Sequence, residues 1–174
     1  ELKTIAAAVN YLSEHGISNL DELDASLSSV SDKAYSIREG MKTAEERMKK
    51  LQKLIECGKN YLTYKPVQDE YRQIRWKGKQ EKFAEAHRAE LTLWNAASRY
   101  LHANLPDVKA LPISEWKQEY ADLKAQRDTD YAKLKATRAE VTELQKIRKC
   151  VDIALRADQP EQMQSRTKRH DIDR

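Results

Sequence analysis

Glycine and proline are scarce in this chain, at four residues each in 174, so it lacks the turns that a many-stranded sheet protein would need. Two cysteines, Cys57 and Cys150, are too few for a secreted disulfide scaffold, which makes a reducing cytoplasm the expected setting. No apolar run is long enough to span a bilayer, and no membrane is expected as a partner. The start, Glu1-Leu2-Lys3, has neither a signal-peptide layout nor an initiator Met, and reads as the cut end of something longer.

What is abundant is Ala, Leu, Glu, Lys, Gln and Arg, all good helix formers. With 40% hydrophobic and 34% charged residues, the composition suits long helices with a thin apolar seam better than a thick core. The net charge of +4 is unevenly spread: residues 1 to 40 carry three bases and seven acids, whereas residues 41 to 82 carry twelve bases and six acids. An anionic partner would meet the second block.

The apolar spacing predicts an all-α protein in five segments. A short helix over 1–17 places Ile5, Val9 and Leu12 on one face, with Gly16 at its left-handed end. Ser18 then opens a long helix over 18–63, with Asp21 completing a capping box. Along it Leu23, Leu27, Val30, Ala34, Ile37, Met41, Ala44, Met48, Leu51, Ile55, Gly58 and Leu62 follow steps of four and three, the 3.5-residue period of a coiled-coil seam. Pro66 sets the expected end near Thr63.

A helical insert and return loop fill 64–112. Here Val67, Tyr71 and Ile74 mark one helix, Gly78 a break, and Phe83, Ala86, Trp94, Ala97 and Leu101 a longer helix. A second long helix over 113–157 carries Trp116, Tyr120, Leu123, Leu134, Val141, Leu144, Val151 and Leu155, interrupted by Arg127, Asp130, Thr137 and Arg148. Residues 158–174 read as a polar tail with a weaker basic run at Arg166 to Arg169.

Each long helix is roughly 42 residues or about 63 Å long, as an antiparallel hairpin within one chain requires. An end-matched antiparallel pairing also sets Asp21, Glu22, Asp24 and Asp32 beside Lys146, Arg148, Lys149 and Arg156. A parallel one would face the same acids with Glu115, Glu119 and Asp122. The expected fold is therefore a long antiparallel helical hairpin, a coiled coil, with a smaller helical insert at one end.

No constellation in the sequence points to catalysis. His15, His87, His102 and His170 lie in separate segments, and His87 with Glu90 supplies only two of the ligands a metal needs. Neither cysteine has a histidine nearby, and the glycines are isolated instead of forming a phosphate loop. No metal and no cofactor is expected.

The segment Tyr71-Arg72-Gln73-Ile74-Arg75-Trp76-Lys77-Gly78-Lys79, with Lys82 just beyond, interleaves cations with two aromatics. Arg72, Arg75, Lys77, Lys79 and Lys82 suit phosphate contacts, and Tyr71 and Trp76 suit base stacking. The competing reading packs the aromatics inward and leaves the cations in water.

Several stretches resemble one known family. Tyr11-Leu12-Ser13-Glu14-His15-Gly16-Ile17 leads into the first long helix, and Tyr64-Lys65-Pro66-Val67 through Tyr71-Arg72 opens the insert. Glu81-Lys82-Phe83, Glu85 to Leu93, Ala96-Ala97, Leu111-Pro112 and Glu119-Tyr120 follow. From about Tyr11 to Leu155 the order resembles the C-terminal helical region of relaxases, the mobilization nucleases of Gram-positive conjugative plasmids and integrative elements.

Relaxases nick DNA with a tyrosine nucleophile and a metal-holding histidine cluster in an N-terminal domain. This chain has no such cluster beside any of its eight tyrosines. The resemblance thus implies a non-catalytic auxiliary module, cytoplasmic until transfer. It leaves three roles open: gripping DNA, joining copies as a coiled-coil dimer, or contacting relaxosome or secretion-channel proteins. The alternative is a purely structural coiled-coil spacer, monomeric or dimeric, with no nucleic-acid contact.

Overall fold

A computed structural model describes the backbone of residues 2–170 and the side chains of residues 5–156. Among the described residues there are five helices and no strand: α1 (Leu2–Glu14), α2 (Leu20–Gln73), α3 (Lys77–Ala86), α4 (Arg88–Asn104) and α5 (Ile113–His170). The protein is all-α. The chain divides into two compact units, Glu1–Gly40 with Asp130–Arg174 and Met41–Thr129, so both long helices contribute to each unit.

In the first unit α1 ends where Gly16 adopts φ 64°, a left-handed conformation that disfavours a Cβ. The Ile17 N–H reaches back to the Leu12 carbonyl at 2.9 Å and the Gly16 N–H to that of Ser13 at 3.2 Å, satisfying carbonyls the helix would otherwise leave open. The cap of α2 is shifted by one residue from the expected box. Asn19 Oδ1 accepts the Glu22 N–H, while the Glu22 carboxylate accepts both the N–H and the hydroxyl of Ser18 at 2.7 Å. Those bonds hold the Glu22 carboxyl below the usual range. Asn19 and Glu22 therefore do what Ser18 and Asp21 were expected to do.

The core of this unit is Ala8, Leu23, Leu144 and Ile147, with Tyr11, Leu12, Ile17 and Val151 among the side chains packed around it. The inward face of α1 is thus Ala8, Tyr11 and Leu12, and the expected Ile5 and Val9 are 47% and 58% exposed. Burying Leu23 and Leu144 contributes about 1.5–3 kcal/mol each. The polar interruptions of α5 are accommodated individually: the buried Thr137 hydroxyl donates to the Lys133 carbonyl at 2.9 Å, and Arg148 bonds Asp24 at 2.5 Å and also Asp152. Ile153 and Leu155 are exposed, so the buried stripe ends at Val151. Beyond it the α5 backbone stays helical to His170. The side chains of the expected polar tail, including Arg166 to Arg169, lie outside the described residues.

In the second unit α2 buries Met48, Leu51, Leu54 and Cys57. The core joins Leu51, Leu54 and Cys57 to Ala97 and Leu101 of α4, to Val108 and to Trp116 of α5. Gly58 lies beneath Ile113 and Trp116, and the Arg47 guanidinium meets the Glu119 carboxylate through two bonds of 2.7 and 2.9 Å.

Two expected boundaries are corrected here. The helix does not stop near Thr63 but continues through Pro66 to Gln73. Pro66 forfeits one backbone bond, a loss of about 3 kcal/mol or more. Packing on both sides of it opposes the loss: Tyr61 stacks on Trp94 at 5.3 Å in the turns before, and in the turns after Gln68 is buried and Tyr71 lies against Phe83. Gly78 does not break the insert, because the non-helical joint is Ile74–Trp76 and Gly78 falls in the first turn of α3. There the first N–H groups have no intrahelical partner in any case. The last expected seam residue, Leu62, is 52% exposed.

Candidate nucleic-acid interface

The insert builds its surface from the end of α2 outward. Arg72, in the last turn of α2, lies over the Trp94 ring 5.5 Å from its centroid. Tyr61 stacks on that same ring, so Arg72 is held on an aromatic platform by a cation–π contact. Tyr71 turns the other way. Its ring lies 6.5 Å from Phe83, tilted by 31°, and its carbonyl accepts the Gln80 amide at 3.3 Å. Tyr71 is therefore half-buried and partly engaged in packing on Phe83.

Trp76 sits on the joint between α2 and α3 with extended backbone, φ −87° and ψ 117°. Its carbonyl accepts the N–H groups of Lys79 and Gln80, which starts α3 and fixes where the indole projects. The side chain is 76% exposed. Arg75 on the joint and Lys77 at the start of α3 flank it, while Lys79 and Lys82 follow one turn apart on α3, all four exposed. Among the described residues, no carboxylate pairs with Arg72, Arg75, Lys77, Lys79 or Lys82. Glu81 is the one acid in residues 71–82.

Five cations without a carboxylate partner among the described residues, in the same short stretch as an exposed indole, can hold phosphates and offer a base a face to stack on. Of the seven residues expected here, the structure leaves six at the surface and draws Tyr71 inward. The Tyr61–Trp94–Arg72 stack was not foreseen. Its members lie in three separate stretches of sequence, and no local spacing links them. The buried Trp94 Nε1 has no hydrogen-bond partner among the described residues.

Other chemistry-bearing side chains are dispersed. His87 Nδ1 lies 3.4 Å from a Glu90 carboxylate oxygen, the pair seen in the sequence, and its ring lies 4.3 Å from Phe83. Among the described residues no three His, Cys, Asp or Glu side chains converge as a metal site. Cys57 and Cys150 are both free, and burial pushes the Cys57 thiol above its ordinary value. Among the described residues no helix is long and apolar enough to cross a membrane.

Fold and surface together define an all-α protein with a basic, indole-tipped patch. No protein family, no curated protein and no solved structure matches the chain.

Proposed function

We propose that this chain is a non-catalytic helical module that grips nucleic acid through residues 72–82. Arg72, Arg75, Lys77, Lys79 and Lys82 contact phosphates, and Trp76 stacks on a base. The observation that carries this reading is Trp76, 76% exposed in a stretch whose five cations have no carboxylate partner among the described residues. An indole left in water gives up the burial that aromatic side chains usually supply, and a stacked base would return about 1–3 kcal/mol.

The larger setting is proposed on the resemblance alone: the auxiliary region of a conjugative relaxase, cytoplasmic, working beside a nicking domain and contacting DNA, relaxosome or secretion-channel proteins. The long antiparallel hairpin belongs to the same proposal. Within the second unit, a step along α2 from Arg47 to Gly58 accompanies a step back along α5 from Glu119 to Ile113, which supports opposite directions there. In the first unit, the Asp24–Arg148 pair matches the expected alignment of acids and bases.

Band-shift titrations at several salt concentrations test the reading. Five phosphate contacts predict a log–log salt slope of about −3.5 on single strands or about −4.5 on duplex. Replacing Arg75, Lys77, Lys79 and Lys82 with Ala should flatten it. No binding at low salt, or an unchanged slope in the variant, refutes the interface.

A protein-assembly reading also has an observation in its favour. Ile5, Val9, Ile153 and Leu155 of the first unit are all exposed, and Ile5, Val9 and Leu155 line one shallow apolar groove with Cys150 and Val151. Light scattering that finds a concentration-dependent dimer, abolished by Val9→Glu and Leu155→Glu, would support assembly through that face.

A further inference from the structure

A cavity of about 380 Å³ opens in the second unit between α2, α4 and the loop that follows α4. Its volume falls at the lower end of the range of small-molecule sites. The walls divide by chemistry. Tyr61, Leu105 and Val108 supply apolar surface, and Lys65, His102 and Lys109 supply cationic or hydrogen-bonding groups.

We propose that this cavity binds a small organic anion, with its apolar body against Tyr61 and Leu105 and its phosphate or carboxylate head between Lys65 and Lys109. The proposal is independent of the nucleic-acid reading, because none of the residues assigned to the interface lines the cavity.

Three observations carry it. First, the charge inside is unbalanced. Two lysines, Lys65 and Lys109, stand against one acid, Asp107: neither lysine pairs with a carboxylate among the described residues, and the Asp107 carboxylate, still charged, is turned onto the Lys109 backbone N–H at 2.9 Å. Second, His102 is oriented. Its Nδ1 donates to the Ser98 carbonyl at 2.8 Å, and Nε2 is left for other partners. Third, Leu62 lines the cavity yet stays 52% exposed, so an apolar side chain remains in water where a bound body would cover it. Tyr61 is braced from behind by its stack on Trp94, which gives the apolar wall a fixed position.

An inorganic anion would use only the charged half of this lining, and a neutral aromatic only the other half. Joining the two halves is what selects an organic anion.

Phenyl phosphate is the probe, with inorganic phosphate and phenol as its two halves, titrated into the full chain and followed by amide NMR. Phenyl phosphate should shift the amides of Leu105, Val108 and Lys109 saturably, and bind about tenfold or more tighter than either half, a difference of about 1.4 kcal/mol. Benzoate then separates carboxylate from phosphate as the preferred head. The variant Lys65→Gln with Lys109→Gln should weaken binding at least about fivefold while its circular dichroism stays unchanged. Leu62→Ser should weaken phenyl phosphate but not inorganic phosphate. The proposal is overturned by the absence of saturable shifts at about 10 mM, by shifts confined to other residues, by equal affinity for inorganic phosphate, or by unchanged binding in the double-lysine variant.

Discussion

Two glycines of the same helix should respond oppositely to the same substitution. Gly40 and Gly58 both lie inside α2, where a glycine weakens the helix by about 0.5–1 kcal/mol relative to alanine. A Cβ added at Gly40 meets no atom within 4 Å, so Gly40→Ala should realise that gain in full. Added at Gly58, it would lie 3.1 Å from Ile113 Cδ1, 3.2 Å from Ile113 Cγ1 and 3.4 Å from Trp116 Cζ3. Overpacking of this kind costs about 1–3 kcal/mol. Subtracting a helix gain of about 1 kcal/mol leaves Gly58→Ala between neutral and about 2 kcal/mol destabilising. Urea unfolding followed by far-UV circular dichroism would compare the two. Ile113→Val deletes the Cδ1 atom of closest approach, so it should cost less in the Gly58→Ala background than alone, a coupling of about 0.5 kcal/mol or more. If Gly58→Ala stabilises as much as Gly40→Ala, the close approach of α2 to the start of α5 is refuted.

Leu144→Ala removes a side chain with no solvent exposure and should destabilise by about 2–5 kcal/mol in the same assay, and a loss below about 1 kcal/mol would contradict the packing of the first unit. The Arg47 guanidinium holds the Glu119 carboxyl below its usual range. The stability it adds is therefore present above the ordinary glutamate value and is lost as pH falls through the depressed one. Both partners are about two-fifths exposed, so that contribution is only about 0.2–1 kcal/mol, and the stability gap between Glu119→Gln and the parent should close with acid or with salt. Cys57 is 5% exposed with its thiol pushed up by burial, so a thiol reagent at mildly alkaline pH should label Cys150 first and Cys57 only as the second unit opens, whereas equal rates would refute its burial.

The buried stripe of α2 was legible because burial follows period. Every expected seam residue of α2 from Leu23 to Gly58 is buried or half-buried, and Arg127, Asp130, Thr137 and Arg148 of α5 are also turned from water despite their polarity. What periodicity could not show is a second partner. Leu54, Cys57 and Tyr61 lie beside the expected stripe and are covered because the insert returns against them through Ala97, Leu101 and Trp94. The end of α2 was misplaced for a related reason: the local penalty of Pro66 is visible in sequence, whereas the contacts of Tyr61 and Tyr71 that oppose it come from Trp94 and Phe83, on other helices further along the chain. Of the expected α1 face Leu12 packs on the core while Ile5 and Val9 do not, because Ala8 counts little on an apolar scale although a small side chain permits close helix approach.

The basic segment was equally visible, but its two aromatics could be told apart only in three dimensions. Tyr71 belongs to α2 and is half-buried towards Phe83 of α3. Trp76 is excluded from such contact by its place on the joint, where extended backbone carries the chain from one helix to the next. A lone exposed apolar residue requires no special explanation, and Tyr35 and Tyr131 are also exposed. Trp76 differs from them in its surroundings. Arg75 and Lys77 are its immediate neighbours, and their charges have no carboxylate partner among the described residues. Stability alone would be served by a polar residue at that joint and by acids among those cations. The nucleic-acid partner proposed above would bring both negative charge and a flat apolar face, and so would account for the two departures together.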